Sequence, residues 1–119
     1  MIEQILANQA ACDFDFRAHA NPQDPLSQTF GEWVPYYQLK SAIAQALEPE
    51  SILEIGVRYG YSAQAFLHGA PQARYLGIDN DSDQFGGSTG ALQWAREKLS
   101  SRHATFLEEN TQRLDRLPG

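Results

Sequence analysis

The 119-residue sequence predicts an α/β domain built on a parallel sheet. Three short runs rich in apolar and β-branched residues, at 52–56, 74–78 and 104–108, alternate with stretches of helical periodicity. This alternation is typical of parallel strands joined by right-handed helical crossovers. We therefore expect a three-layer fragment with three parallel strands in the order 3-2-1 and helices flanking them.

The predicted helices lie before, between and after these strands. Apolar residues at helical spacing predict a helix over 38–47, which ends before Glu48-Pro49 because proline disfavours the helical region for the residue preceding it. The other helices are expected at 2–7, 62–68, 89–99 and 112–117.

Residues 13–29 have no sustained period. Asn21-Pro22 and Asp24-Pro25 favour extended or turn geometry, so we expect this stretch to be an arm or lid rather than part of the core. The chain is accordingly divided into a leading helix and arm at 1–32 and a main unit at 33–119.

Composition narrows the classes of partner. Fifteen acidic residues against nine basic ones give a net charge of −6, which disfavours a phosphate backbone, so we expect no nucleic-acid partner. The single cysteine, Cys12, cannot form an internal disulfide. No apolar run approaches the ~20 residues of a membrane span, and the N-terminus lacks the pattern of a secretory signal. We expect a soluble, cytoplasmic protein without membrane contact.

A glycine-containing turn follows the first predicted strand. Gly56 and Gly60 frame this turn, which opens into the helix at 62–68. Such a unit places backbone N–H groups and a helix N-terminus at the carboxyl end of a strand, where open α/β sheets bind their ligands. Glu54 interrupts the apolar strand and is costly to bury alone, so we expect it to face a ligand or a hydrogen-bond donor.

The spacing Glu54-x-Gly56-x-x-x-Gly60 resembles motif I of the class I S-adenosylmethionine-dependent methyltransferases. It differs from the dinucleotide fingerprint G-x-G-x-x-G, since Glu54 stands where the first glycine would be. The second strand leads into Asp79, close to where Rossmann-like folds place the carboxylate that holds a ribose diol. The resemblance covers about 33–119 and implies the S-adenosylmethionine-binding half of a Rossmann-like methyltransferase domain.

The resemblance also implies how the methionine end of the cofactor is held. Glu54 would orient its ammonium group, and Gly56 would permit close approach of the backbone. The N–H groups of about Gly60 to Ser62, including that of Tyr61, would take its carboxylate at the helix N-terminus. Lys40, on the preceding helix, is a further candidate for that carboxylate.

The other end of the cofactor is assigned in the same way. Asp79 would accept both ribose hydroxyls, and Asn80 and Asn110 would lie near the adenine. The acids at 79, 81 and 83 lack the glycine and glutamate positions of a calcium loop, so no metal is expected. The resemblance assigns no catalytic residue.

Three functions are compatible with these residues. The first is an S-adenosylmethionine-dependent methyltransferase acting on a small-molecule acceptor, represented by its cofactor-binding half. The second is a noncatalytic cofactor-binding or assembly module. The third, a dinucleotide-binding oxidoreductase domain, is disfavoured by Glu54 in place of glycine.

The family's fourth strand, which commonly ends in an acid on the acceptor side, has no counterpart in 1–119. We therefore expect that this chain alone does not sustain turnover. The first strand, central in the family, would lie at an apolar edge. We expect a homodimer through or beside this strand, or a separate chain that supplies the missing strands. In the alternative, the arm at 13–29 covers the edge.

Overall fold

A parallel three-stranded sheet organises the chain. The structure is a computed structural model and describes residues 1–82 and 89–110. Strands β1 (Ser51–Ile55), β2 (Arg74–Asp79) and β3 (Ala104–Glu108) lie side by side in the order β1-β2-β3. The predicted parallel pairing and the 3-2-1 order are thus confirmed. Because the strands run in one direction, β1 and β2 present their carboxyl ends at the same edge of the sheet.

Four helices are present in the described residues. They are α1 (Ile2–Ala11), α2 (Phe30–Leu47), α3 (Tyr61–Gly69) and α4 (Ala91–Lys98), with 3-10 turns at Phe16–His19 and Ser27–Thr29. None of the helices in 1–82 and 89–110 has the length and apolar character needed to cross a bilayer. The helix predicted at 112–117 lies outside the described residues.

Helix α2 begins at Phe30, well before the predicted start at 38. Its first two turns contain four aromatic residues and Pro35, a composition that hides the helical period. Pro35 is the sixth residue of the helix and lacks the N–H donor that would bond the carbonyl four residues earlier, so from sequence it argues against a helix here. The early start places Trp33, Tyr36 and Tyr37 on the helix rather than in a loop.

The main core lies on one face of the sheet. Leu67 from α3 and Leu92 and Ala95 from α4 pack with Tyr75 of β2 and Phe106 of β3. On the opposite face of β1, the side chains of Leu53 and Ile55 are 48% and 55% exposed. The expected third layer is therefore not seen over these two residues of β1 in the described part of the chain.

The arm at 13–29 is packed rather than detached. Its Phe16 is buried in a second cluster with Phe30 of α2 and with Tyr61 and Ala65 of α3. Its polar residues Asn21 and Asp24 are also buried. The expectation that this stretch lies outside the core is wrong. The arm is ordered by local hydrogen bonds from backbone N–H groups to the side chains of Asn21 and Asp24, and not by a repeating apolar pattern.

Strand β1 is an edge strand of the described sheet. The arm packs against α2 and α3 and leaves Leu53 and Ile55 exposed, so the alternative in which the arm covers this part of the sheet is wrong. Association through this edge remains a prediction.

Candidate functional site

The turn after β1 has an open side and a packed side. Gly56 has φ +85°, and a Cβ placed on it would meet no atom within 4 Å. Gly60 has φ +80°, but its Cβ would lie 2.9 Å from Ala95 Cβ of α4. Both positions favour glycine through the left-handed backbone. Gly60 is needed in addition for helix packing, whereas Gly56 borders open space at the carboxyl edge of the sheet.

Asp79 holds this turn in place. Its Oδ2 accepts hydrogen bonds from the N–H groups of Val57 and Arg58, at 2.7 and 2.8 Å, and its Oδ1 accepts one from Asp81 N–H at 2.8 Å. The N–H of Gly56 also donates to the carbonyl of Ile78 at 2.8 Å. A carboxylate has about four acceptor positions, so these three donors leave room for roughly one more. The acceptance of both ribose hydroxyls by Asp79 stays a prediction.

Glu54 lies near the end of β1 in a nearly enclosed position, with its side chain only 12% exposed. The Tyr75 hydroxyl donates to its Oε1, and Lys40 Nζ lies 3.9 Å from its Oε2. Burial raises the pKa of Glu54 above its ordinary value, and this effect outweighs the opposing influence of the Tyr75 hydrogen bond and the Lys40 ammonium. The sequence-based expectation of a donor partner for Glu54 is confirmed.

Gly77 makes the Tyr75–Glu54 contact possible. It lies opposite Glu54 in the β1–β2 register, and a Cβ on it would come within 2.9 Å of the Tyr75 hydroxyl and 2.7 Å of Val57 Cγ2. A glycine inside a strand often marks such a close approach. Gly77 is not among the site residues predicted from sequence.

Lys40 connects α2 to the same edge. Its Nζ donates to Ser62 Oγ at 2.7 Å and lies 4.4 Å from the centre of the Tyr36 ring and 5.4 Å from that of Phe66. Lys40 therefore lies between Glu54 and the N-terminal turn of α3. These contacts form a small polar group in which the Lys40 ammonium lies between the Glu54 carboxylate and the Ser62 hydroxyl.

The remaining predicted site residues are Tyr61, Asn80 and Asn110. The Tyr61 hydroxyl accepts a hydrogen bond from Asn21 N–H at 2.9 Å, so its side chain serves the arm, while its backbone lies at the start of α3. Asn80 is exposed, and its Oδ1 accepts from Ser82 N–H at 3.2 Å. Asn110 is half-buried and follows β3 closely. All eight predicted positions lie in or beside the segments that follow β1, β2 and β3.

Two structural residues were missed. Arg58, with φ +51°, places its guanidinium on the buried carboxylate of Asp24, with Nη2 2.8 Å from Oδ1 and Nη1 3.3 Å from Oδ2. Asp81 accepts from the N–H groups of Gly90 and Leu92 and so caps α4 from a distance. Neither contact has a local sequence signal, because each partner lies far away in the chain.

Comparison with known proteins adds to this geometry. No family model matches the chain. Two curated relatives, from Bifidobacterium longum strains DJO10A and NCC 2705, are each named ribosomal RNA small subunit methyltransferase H. Each is 40% identical over 70 residues, which cover 54% of this chain and 19% of the relative.

Over these 70 residues the chain is similar to named methyltransferases, in agreement with the resemblance noted for Glu54, Gly56 and Gly60. It spans about a fifth of the length of the curated relatives it matches. The parallel sheet with its flanking helices agrees with a truncated Rossmann-like methyltransferase fold. The similarity to named methyltransferases disfavours the dinucleotide-binding alternative.

The expected acceptor requires correction. The relatives are named for a nucleic-acid acceptor, which contradicts our expectation of a small-molecule acceptor and of no nucleic-acid partner. The error has a physical cause. The net charge of −6 bears on how many phosphates these 119 residues contact, and it does not determine which acceptor is methylated.

Proposed function

We propose that this chain forms the S-adenosylmethionine-holding half of a methyltransferase whose acceptor is an RNA. The observation that carries the proposal is the Glu54–Lys40–Ser62 group beside the open space at Gly56. The methionine part of the cofactor is a zwitterion, with an ammonium and a carboxylate on one carbon. A buried carboxylate 3.9 Å from a lysine ammonium offers complementary charge to both groups.

The assignment of each group follows from its chemistry. Glu54 is a hydrogen-bond acceptor for the cofactor ammonium, while Lys40, Ser62 and the first N–H groups of α3 are donors for its carboxylate. Burial makes the charged form of Glu54 costly in the free protein. An arriving ammonium offsets that cost, so cofactor binding and ionisation of Glu54 favour each other.

The ribose is assigned to the space beside Asp79. The carboxylate of Asp79 keeps the turn at 56–60 in a fixed shape and has about one acceptor position left for a hydroxyl. Methyl transfer from a sulfonium depends chiefly on holding the cofactor and the acceptor in line. The part of that task carried by this chain is a preformed cradle for the cofactor.

An RNA acceptor is favoured by the name of the two relatives. With fifteen acidic against nine basic residues, this chain is a poor surface for a phosphate backbone. We therefore assign to it the cofactor and, at most, contacts with a base, and not the bulk of the phosphate contacts.

Titration calorimetry on the purified 119-residue chain tests this proposal. We expect S-adenosylmethionine and S-adenosylhomocysteine to bind and NAD to bind at least about tenfold more weakly, a difference of about 1.4 kcal/mol. Asp79→Asn should weaken S-adenosylhomocysteine binding by a similar factor, because the amide can no longer accept hydrogen bonds on both sides. The matched control Asp13→Asn, on an exposed arm residue, should leave affinity unchanged. Equal affinity for NAD, or no binding of either sulfur compound, would contradict the proposal.

A further inference from the structure

A pocket of about 200 Å³ lies between the arm, the first turns of α2 and the start of α3. Its walls are mainly aromatic: Phe30, Trp33, Tyr36, Tyr37 and Tyr61 line it, together with Ser62 and other residues of the arm and turn. The volume is small beside the roughly 300–1,000 Å³ of pockets for drug-sized ligands, and so suits one planar ring system.

The aromatic wall is continuous. Ring centroids are 5.9 Å apart between Trp33 and Tyr36, 5.7 Å between Tyr36 and Tyr37, and 6.0 Å between Tyr37 and Tyr61. The inner part of this wall is packed, but Trp33 and Tyr36 remain 47% and 46% exposed. Large aromatic surfaces left exposed next to a concavity are candidates for covering by a ligand.

The pocket adjoins the proposed cofactor site. Ser62 lines the pocket and accepts a hydrogen bond from Lys40, whose ammonium lies over the ring of Tyr36. The end of the pocket near Ser62 therefore meets the place proposed for the methionine part of the cofactor. The reactive methyl group belongs to that part, so a ring in this pocket would lie on the transfer side of the cofactor.

The pocket also offers a neutral hydrogen-bond donor. Burial raises the pKa of Tyr37 to about 12, so its hydroxyl stays protonated at neutral pH. Among nearby charges, Arg58 lowers this pKa and Asp24 raises it, and these two groups form an ion pair with each other. Among the hydrogen bonds of residues 1–82 and 89–110, none involves the Tyr37 hydroxyl, which leaves it available to the edge of a base.

We propose that this aromatic pocket binds a single unstacked nucleobase of the RNA acceptor; this inference rests on the proposed function. Bases stack on aromatic side chains without needing phosphate contacts, and extruded bases are read through such pockets next to the reacting group. A pocket that recognises a ring rather than a phosphate also agrees with the negative charge of the chain.

The test uses the 119-residue chain saturated with S-adenosylhomocysteine, so that bases cannot occupy the cofactor site. A labelled single-stranded RNA is titrated by fluorescence anisotropy, alongside the same RNA with an abasic position. Trp33→Leu should weaken binding of the intact RNA by roughly tenfold, the scale of one base stacked on one aromatic side chain. It should have no further effect on the abasic RNA. Tyr37→Phe, which removes only the hydroxyl, should weaken binding by about twofold to tenfold.

The control is Leu47→Ala, an exposed apolar residue at the other end of α2, which should change nothing. Parallel calorimetry with S-adenosylhomocysteine separates the outcomes. If Trp33→Leu weakens the binding of S-adenosylhomocysteine as much as the binding of RNA, the pocket belongs to the cofactor and the inference is wrong. If RNA fails to bind, or binds equally well to Trp33→Leu, the inference is wrong while the cofactor assignment stands. Failure of S-adenosylhomocysteine to bind the wild-type chain would instead refute the proposed function.

Discussion

At the scale of single residues, the ionised form of Glu54 is unfavourable for the stability of the free protein and favourable for the proposed binding of the cofactor ammonium. Its carboxylate is buried with one hydroxyl donor and one distant ammonium, and burial dominates its raised pKa. For a carboxyl group with a raised pKa, the folded state is favoured at pH values below the unfolded pKa, and this advantage is lost as the pH rises through the folded pKa. Ionised Glu54 therefore destabilises the free protein at neutral pH.

Glu54→Gln should accordingly stabilise the free chain at high pH and much less at low pH. Glutamine keeps an acceptor for the Tyr75 hydroxyl but carries no charge. Denaturant unfolding at about pH 5 and about pH 8 measures this change. The gain in unfolding free energy over wild type grows as the pH rises above 4.5, and it reaches about 1.4 kcal/mol for each unit by which the folded-state pKa of Glu54 exceeds 4.5. The same variant should bind S-adenosylhomocysteine more weakly. A Glu54→Gln chain that is less stable than wild type at the higher pH, while Glu97→Gln is neutral, would contradict this account.

The two glycines of the turn should respond differently to alanine. Both substitutions force a left-handed backbone on a residue with a Cβ, which costs about 1–2 kcal/mol. Gly60→Ala adds a collision with Ala95 of α4, so its loss of unfolding free energy should exceed that of Gly56→Ala by about 1–3 kcal/mol. Gly56→Ala should weaken cofactor binding in a folded protein, because its methyl group enters the open space. Equal losses of stability in the two variants would be inconsistent with the observed packing.

At the scale of elements, the strands and the site turn were predictable, while the arm and the start of α2 were not. β-branched runs placed all three strands within one residue of their observed bounds, and the glycine spacing located the turn. The aromatic residues and Pro35 concealed the first turns of α2. The packing of the arm was not predicted because its order comes from Asn21 and Asp24, whose side chains accept hydrogen bonds from the backbone N–H groups two residues later. Such turns produce no periodic pattern in the sequence.

The same reasoning explains which parts of the site were foreseen. Glu54 and Asp79 were recognised because acids at strand ends stand out from their apolar context. The hold of Asp79 on the turn and the contact of Lys40 with Ser62 join residues 22 positions apart. Their geometry depends on how β1, β2 and α2 pack, which a linear pattern does not encode. The roles of these side chains towards the cofactor remain predictions.

The arm is fastened to the turn by one buried ion pair, which gives this element a direct test. Asp24 is almost fully buried, and Arg58 is 27% exposed. Removing the charge of Asp24 takes away the carboxylate that pairs with the largely buried guanidinium of Arg58. Asp24→Asn should lower the unfolding free energy by about 2–3 kcal/mol, less than the 3–5 kcal/mol of a fully buried pair because Arg58 retains contact with water. Thermal unfolding measures the change.

Asp13→Asn, an exposed acid of the same arm, is the control for Asp24→Asn and should be neutral. The Asp24 variant should also weaken cofactor binding, since Arg58 belongs to the turn that Asp79 holds. A variant as stable as wild type would show that the arm is held by its apolar contacts alone.

At the scale of the whole molecule, the chain combines a preformed cofactor edge with a negative surface and an uncovered part of β1. It spans about a fifth of the length of the curated relatives it matches. The two proposed roles, holding a cofactor and binding one ring, depend on local geometry rather than on a basic surface. Neutralising many phosphates requires a basic surface, which its composition does not favour.

The central claim is that the carboxyl edge of β1 and β2 binds S-adenosylmethionine. Backbone amide shifts of the ¹⁵N-labelled chain, recorded during a titration with S-adenosylhomocysteine, test it most directly. The account predicts saturable shifts concentrated at 56–62 and 79–81, with those of α1 nearly unchanged. Saturable shifts confined to residues away from this edge, such as Gln45, Glu48 and Gln72, would contradict it.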